Sequence, residues 1–140
     1  MKQFKGKFNY DAETGVSTVE LYTSMGLCTG KAQLHPEDKK HDSNYFGCAI
    51  AELRAEMVYC KRRAQYSMQE AQTLQKFYNH MKDTKNFDEN AYYVKQLKKE
   101  IQRKHEDADQ WRLRVAAIKD MIQLRIIARD KINKQKENDN

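Results

Sequence analysis

Glycine and proline are confined to the first third of the chain, and this distribution constrains the fold more than any other feature. All five glycines precede residue 48, and the one proline, Pro36, lies among them. Both residues interrupt helices, so residues 48–140 have no strong helix breaker. The distribution predicts a small sheet with tight turns, followed by long helices.

The first part of the chain contains three β-rich runs. The runs FKGKFNYD and VSTVELYT are separated by AETG, where Gly15 suits a turn position with positive φ. A third strand is predicted across TGKAQLH, and Pro36 ends it because proline donates no hydrogen bond to a strand ladder. Asp42 or Ser43 is then predicted to cap the first helix.

Apolar residues after residue 45 recur at alternating spacings of four and three, which is typical of one face of a helix. The first stripe runs from Phe46 to Met81 and is interrupted by Ser67. The second runs from Val94 to Ile122, and Asp88 is its predicted cap. Because a short loop joins the two helices, they are expected to pack antiparallel.

These patterns predict an α+β fold, with a small N-terminal antiparallel β-sheet followed by a long antiparallel two-helix hairpin. We expect a single domain over residues 1–140. Within it, residues 1–41 form the sheet part, 42–83 the first helix, 88–133 the second helix and 134–140 a disordered tail.

The last helix carries apolar residues outside its stripe as well. They are Met121, Leu124, Ile126, Ile127 and Ala128. A helix that is apolar on several sides is usually buried on several sides. The sequence therefore predicts a homo-oligomer.

The net charge of +6 is unevenly distributed, because residues 1–45 are balanced and the whole excess lies in residues 46–140. A basic surface favours an anionic partner. No apolar run approaches the roughly 20 residues of a membrane span, and the N-terminus lacks the apolar core of a secretory signal. We therefore expect no membrane partner and a location in the cytoplasm. Cys28, Cys48 and Cys60 form no C-x-x-C pair, which predicts free thiols.

The stretch GLCTGKAQLHPEDKK at residues 26–40 has the composition of a phosphate or metal loop, but its spacing fits neither. Three residues separate Gly26 from Gly30, where a Walker loop needs four, and Ala32 follows Lys31 in place of Ser or Thr. Four potential ligands match no metal-binding spacing: His35, Glu37, Asp38 and His41. No nucleophile and base can be paired either. We therefore predict no cofactor, no metal and no catalytic residues.

Two arginines occupy positions where the second stripe calls for core residues. Arg125 and Arg129 are four apart, so their guanidinium groups share one helix face. An antiparallel hairpin centred near residue 85 places residues 118–129 beside residues 46–54, and Arg54 is expected close to that junction. Guanidinium groups bind phosphates through two hydrogen bonds at once. The sequence thus predicts an anion site at these three arginines.

Structural roles for the same arginines remain open. They could pair with Glu52 or Glu56 across the hairpin, extend their alkyl stems along it with hydrated charges, or make contacts in an oligomer interface.

Aromatic residues cluster around the predicted inter-helix loop. They are Phe77, Tyr78, Phe87, Tyr92 and Tyr93. One interpretation is that they cap the end of the hairpin core. Another is that Phe87, Tyr92 or Tyr93 stacks on a base whose edge Asn86 or Asn90 binds. Phe87 and Asn90 are therefore added to the candidate ligand-binding residues.

The stretch TGKAQLHPEDKK followed by GCAIAELRA resembles a pattern in small phage and bacterial proteins. In that pattern, a strand ending G-x-A-x-x-x-P-x-D leads into a helix beginning G-x-x-x-A-x-x-R-A. The matching residues are Gly30, Ala32, Pro36, Asp38, Gly47, Ala51, Arg54 and Ala55. Small residues at these positions would let the helix start lie tightly against the last strand.

With a sheet followed by two helices, the chain resembles the phage anti-Thoeris sponge proteins. The resemblance implies a non-catalytic protein that sequesters cyclic ADP-ribose isomers made by bacterial TIR-domain immune enzymes, or cyclic oligonucleotides. It also implies a homo-oligomer, a dimer or a hexamer, in the host cell cytoplasm. The family's pocket lies between subunits and contains two arginines one turn apart on the last helix, which Arg125 and Arg129 match.

Two other functions fit the sequence. A sheet followed by a basic helix also describes modules that bind double-stranded RNA. The long hairpin could instead dock on a host protein and inhibit it.

Overall fold

The computed structural model describes residues 4–33 and 44–138. In chain order, the elements are β1 (Lys5–Asp11), β2 (Val16–Thr23), β3 (Gly26–Gln33), α1 (Asn44–Lys82) and α2 (Tyr92–Asn138). The predicted α+β class, with an N-terminal antiparallel sheet followed by two helices, is confirmed. Pro36 and the predicted caps Asp42 and Ser43 lie outside the described residues.

The three strands form one antiparallel sheet in the order β1-β2-β3. Gly15 closes the first turn with φ of 74°, and its N–H donates to the Asp11 carbonyl at 2.8 Å, as the sequence predicts. The third strand starts earlier than predicted. Thr23 Oγ1 donates to the Gly26 carbonyl at 2.6 Å and accepts from the Met25 N–H at 3.1 Å, which makes a turn directly before Gly26.

The inner face of the sheet is covered, and its contact with α1 is very close. Buried residues on this face are Ser17, Val19 and Leu21 of β2 and Cys28 and Ala32 of β3. A Cβ at Gly30 would lie 1.9 Å from the Ala51 carbonyl oxygen and 2.4 Å from the Ala55 nitrogen. Only glycine fits there, so the predicted tight contact between the last strand and the helix start is confirmed.

Residue contacts divide the chain into two compact units. Unit 1 contains Met1–Cys60 and Arg114–Asn140, and unit 2 contains Lys61–Leu113. The boundary between the units falls within α1 and within α2, so unit 1 contains the sheet together with parts of both helices. The helical segments of unit 1 bury Ile50 and Leu53 from α1 and Ile118 and Ile122 from α2.

Unit 2 has its own apolar core, built around Tyr78, Val94 and Ile101. Its two helical segments also pair through polar side chains at stripe positions. Ser67 is buried and donates to Asp107, and the Lys104 ammonium lies 3.0 Å from a Glu70 carboxylate oxygen. Ser67 pairs with residue 107, and Glu70, further along α1, pairs with residue 104, which is earlier in α2. The helical segments of unit 2 therefore run antiparallel, as predicted.

Both predicted ends of the second helix are wrong. Asp88 does not cap α2 directly, since its carboxylate accepts from the Asn90 N–H at 3.0 Å and its carbonyl from the Ala91 N–H at 3.1 Å. These bonds form a turn, and α2 begins at Tyr92. The predicted disordered tail at 134–140 is helical as far as Asn138, because lysine, glutamine and glutamate favour helix even where no core is available.

Replacing Gly30 with alanine should destabilise the chain by about 2 to 3 kcal/mol, because the added methyl group overlaps the α1 backbone. Urea denaturation measures the loss. Thr29→Ala, on the solvent face of the same strand, is the matched control and should cost less than about 1 kcal/mol. Equal losses in the two variants would contradict the close contact of α1 with β3.

Candidate functional site

The three predicted arginines all lie in unit 1, and each has a different environment. Arg54 donates from Nη1 to the Lys31 carbonyl at 2.7 Å. Because β3 is an edge strand, this bond ties α1 to the edge of the sheet. Part of the Arg54 guanidinium therefore has a structural role.

Arg129 packs against the beginning of α1. Its guanidinium carbon lies 5.4 Å from the centre of the Phe46 ring, and its Nε is buried. A cation over an aromatic face is attracted by the ring's negative face. The contact places Arg129 beside Phe46, as the predicted pairing of residues 118–129 with residues 46–54 requires, and it restrains one guanidinium group.

Arg125 lies one turn before Arg129 and is exposed. Among the described residues it has no ion-pair partner, and neither Glu52 nor Glu56 forms an ion pair there. The structural alternative in which these acids neutralise the arginines is therefore not adopted. The positive charge of Arg125 faces solvent.

Phe46 was missed as a site residue, although the sequence contained the necessary signal. It is the first member of the α1 stripe, and the predicted antiparallel pairing places it opposite the end of the second stripe. Its ring gives Arg129 an aromatic contact. The arrangement thus combines a fixed guanidinium, an exposed guanidinium and an aromatic face, which suits a phosphate-bearing ligand.

Phe87 and Asn90 belong to unit 2. Phe87 packs edge-on against Tyr78, with ring centres 6.0 Å apart, and contributes to the unit 2 core. Of the two roles that the sequence left open for Phe87, the structure thus supports packing at the end of the helical core. Asn90 is exposed, and so are Tyr92 and Tyr93, whose rings are largely accessible to solvent. For stacking on a base, these two tyrosines are better placed than Phe87.

Glu89 organises the polar surface beside this core. It accepts from the Tyr78 hydroxyl at 3.0 Å and forms an ion pair with Lys98. The hydrogen bond from Lys98, followed by that from Tyr78, holds the pKa of Glu89 below its usual range. The carboxylate therefore remains charged and fixed in place at neutral pH.

The three cysteines are free thiols, as predicted, and Cys28 and Cys60 are buried. Burial raises the pKa of Cys60, against the opposing charge of Arg114. Burial, with a contribution from Glu52, also raises the pKa of Cys48. At neutral pH both thiols are protonated, so they are not activated nucleophiles.

The described residues, 4–33 and 44–138, offer neither a metal site nor a membrane span. No group of three or more His, Cys, Asp or Glu side chains there could hold a metal ion. The sequence HPEDKKH, which carries His35, Glu37, Asp38 and His41, lies outside this part of the chain. No helix in it is long and apolar enough to cross a membrane.

The solvent face of the sheet has a shallow depression of about 540 Å³. Its lining includes Lys7 and Asn9 of β1, Glu20 of β2 and Lys31 of β3. Sequence reasoning did not identify this surface, because alternation along a strand shows which residues share a face and not whether that face is concave.

Comparison with protein-family models, curated protein sequences and solved structures finds no match to this chain. The resemblance to anti-Thoeris sponge proteins therefore rests on the residues quoted above.

Replacing Glu56 with glutamine should stabilise the chain at neutral pH by less than about 1 kcal/mol, since the carboxyl is partly screened by solvent. Burial, and secondarily Glu52, raises the pKa of Glu56 above its ordinary value of 4.5. The folded state therefore holds this proton more tightly than the unfolded state does. The free energy of unfolding then falls as pH rises from 4.5 through the raised pKa.

Urea denaturation as a function of pH provides the test. Glu56→Gln and the parent chain should be equally stable below about pH 4 and diverge above it. Asp120→Asn, at an exposed position on α2, is the control. A gain for Glu56→Gln that does not change with pH would contradict the assignment.

Proposed function

We propose that this chain is a non-catalytic binding protein that sequesters a cyclic nucleotide immune signal and so inhibits bacterial anti-phage defence. The ligand would be a cyclic ADP-ribose isomer or a cyclic oligonucleotide. The observation that carries the proposal is the arginine pair of α2. Arg129 is held against Phe46, and Arg125 is exposed without an ion-pair partner among the described residues.

Each arginine would have a different part in binding. Arg129 presents a guanidinium plane that is already fixed, so little side-chain entropy is lost when a phosphate binds. Arg125 reorients from solvent to reach the same phosphate or its neighbour. Arg54, with Nη1 engaged by the Lys31 carbonyl, supports the site with its remaining donors.

A neighbouring copy of the chain would supply the groups that recognise the base. Asn90 and one aromatic residue are the candidates, with Tyr92 or Tyr93 favoured over Phe87 because their rings are more exposed. Stacking of a base on an aromatic ring contributes about 1 to 3 kcal/mol. Sequestration requires affinity and no turnover, so the ligand should be released chemically unchanged.

Calorimetry with cyclic ADP-ribose isomers and with cyclic di- and trinucleotides tests the proposal. Arg125→Ala and Arg129→Ala should each weaken binding by about tenfold or more, because a charge-assisted hydrogen bond contributes about 1.5 to 3 kcal/mol. Arg103→Ala is the matched control, since Arg103 is an exposed α2 arginine that pairs with Glu100 in unit 2. Its affinity should equal that of the parent chain.

Two outcomes would contradict the proposal. One is the absence of binding to every cyclic nucleotide. The other is stronger binding to long duplex RNA with an affinity that falls steeply with salt, which is the behaviour of a nucleic-acid-binding module. Mass spectrometry of the ligand released by heat checks that it is unchanged.

We further propose that the chain forms a homo-oligomer, a dimer or a hexamer, through α2. Met121, Leu124, Ile127 and Ile132 are exposed on this helix, and Leu124 is 65% exposed. Leu124 and Ile127 lie on a different face of α2 from the buried residues Ile118 and Ile122. An exposed apolar strip of this kind is usually covered by a partner.

Leu124→Glu should shift the chain toward the monomer in light scattering coupled to size-exclusion chromatography. The reason is that a charge placed in an apolar interface loses its hydration without gaining a partner. Gln123→Glu adds the same charge at the neighbouring exposed position and should leave the mass unchanged. A parent chain that is monomeric at all concentrations would contradict the oligomer.

A further inference from the structure

The solvent face of the sheet brings six polar side chains of its three strands around one depression. Two adjacent rows cross the three strands: Lys7, Glu20 and Thr29 form one row, and Asn9, Thr18 and Lys31 form the next. All six residues line the depression of about 540 Å³. This volume is within the range of small-molecule sites, which is roughly 300 to 1,000 Å³.

Within the described part of the chain, none of these six side chains has a hydrogen-bond or ion-pair partner. The hydrogen bond from Arg54 uses the Lys31 carbonyl and not its ammonium group. Strands are about 4.8 Å apart and alternate residues about 6.7 Å apart, so the Cα atoms of Lys7 and Lys31 lie about 12 Å from each other. Both ammonium groups can therefore reach one anion above β2.

Glu20 lies between the two lysines on the central strand, and it restricts the kind of anion. A carboxylate repels a bare phosphate but accepts hydrogen bonds from a pair of neighbouring hydroxyl groups. Asn9, Thr18 and Thr29 add further donors and acceptors on both sides of it. The lysines and Glu20 together suit a ligand that carries a phosphate and a sugar with vicinal hydroxyls.

The cross-strand row that contains Tyr22 and Leu27, next to the row of Glu20, provides an apolar platform. Tyr22 and Leu27 are paired neighbours on the same face, and they are 48% and 44% exposed. Exposed tyrosine rings stack on bases of any sequence. Along β2, the face thus presents an aromatic ring at Tyr22, a carboxylate at Glu20 and a hydroxyl at Thr18, in steps of about 6.7 Å.

We propose that this sheet face binds the ribose phosphate unit of a ribonucleotide. The base stacks on Tyr22, the 2′- and 3′-hydroxyls donate to Glu20, and the phosphate binds Lys7 and Lys31. The unit can come from a free mononucleotide or from an RNA strand. The site uses none of the α2 arginines. Binding at the sheet face can therefore be tested independently of the proposed function.

Two-dimensional amide NMR of the full chain tests the site, with adenosine monophosphate as the first probe at up to about 10 mM. Amide signals of Thr18, Glu20 and Thr29 should shift. Deoxyadenosine monophosphate, which lacks the 2′-hydroxyl, should bind at least about fivefold more weakly. A short oligoadenylate should bind more tightly than the mononucleotide if the source is RNA, and no more tightly if it is a free nucleotide.

Variants assign the roles of the side chains. Lys7→Ala and Lys31→Ala should each weaken binding about fivefold, and Glu20→Gln should reduce the preference for ribose over deoxyribose. Lys61→Ala, at an exposed position on α1 in unit 2, is the matched control and should have no effect. A chain carrying both Arg125→Ala and Arg129→Ala should keep the sheet-face shifts.

Three results would overturn the proposal. The first is the absence of shifts at the sheet amides with either the mononucleotide or the oligoadenylate. The second is an equal response to inorganic phosphate alone, which would leave no role for the ribose. The third is loss of the shifts in the Arg125 and Arg129 double variant, which would place the ligand on α2.

Discussion

The contact between β3 and α1 at Gly30 is the constraint on which the rest of unit 1 depends. The α1 backbone at Ala51 and Ala55 occupies the space that a side chain at position 30 would need. The close approach lets Arg54 reach the Lys31 carbonyl at the edge of the sheet. With one face of the sheet covered by α1, the lysines and Glu20 on the other face remain in solvent.

Polar residues replace apolar ones in the helical stripes of both units, with opposite consequences. In unit 2, Ser67 pairs with Asp107, and Lys104 pairs with Glu70. The first pair satisfies the buried Ser67 hydroxyl, the second joins two partly exposed charges, and both favour one register of the two helical segments. In unit 1, the charge of Arg125 faces solvent without an ion-pair partner among the described residues. A charged residue at a stripe position is a better candidate for ligand binding when it has no ion-pair partner within the protein. Arg125 is therefore a better candidate than Lys104.

The two candidate sites of unit 1 differ in the chemistry of their cations. The α2 pair offers planar guanidinium groups, one of them fixed on Phe46, and these suit bidentate contacts with phosphate. The sheet face offers flexible ammonium groups around Glu20, which act as point charges and suit a ligand with hydroxyls as well as phosphate. The two proposed sites therefore share the phosphate and differ in the sugar hydroxyls, which only the sheet face has a carboxylate to bind.

The types of the elements follow from the sequence alone, because glycine placement, alternation and the helical stripe are local patterns. The sequence predicted the positive φ of Gly15, the tight contact at Gly30 and the closeness of residues 46–54 to residues 118–129, with which the Phe46–Arg129 contact agrees. The early start of β3 escaped prediction because it is set by the pairing of Gly26 with Thr23 of β2 across a tight turn.

The side chains that meet in the folded chain were a different matter, because they come from distant segments. The tertiary structure placed the Arg54 guanidinium on a strand carbonyl, put the Phe87 ring in the unit 2 core and left the six polar residues of the sheet face around one depression. Periodicity identifies the face of an element on which a residue lies. The partner across that face depends on the register between segments distant in sequence, and no local pattern encodes that register.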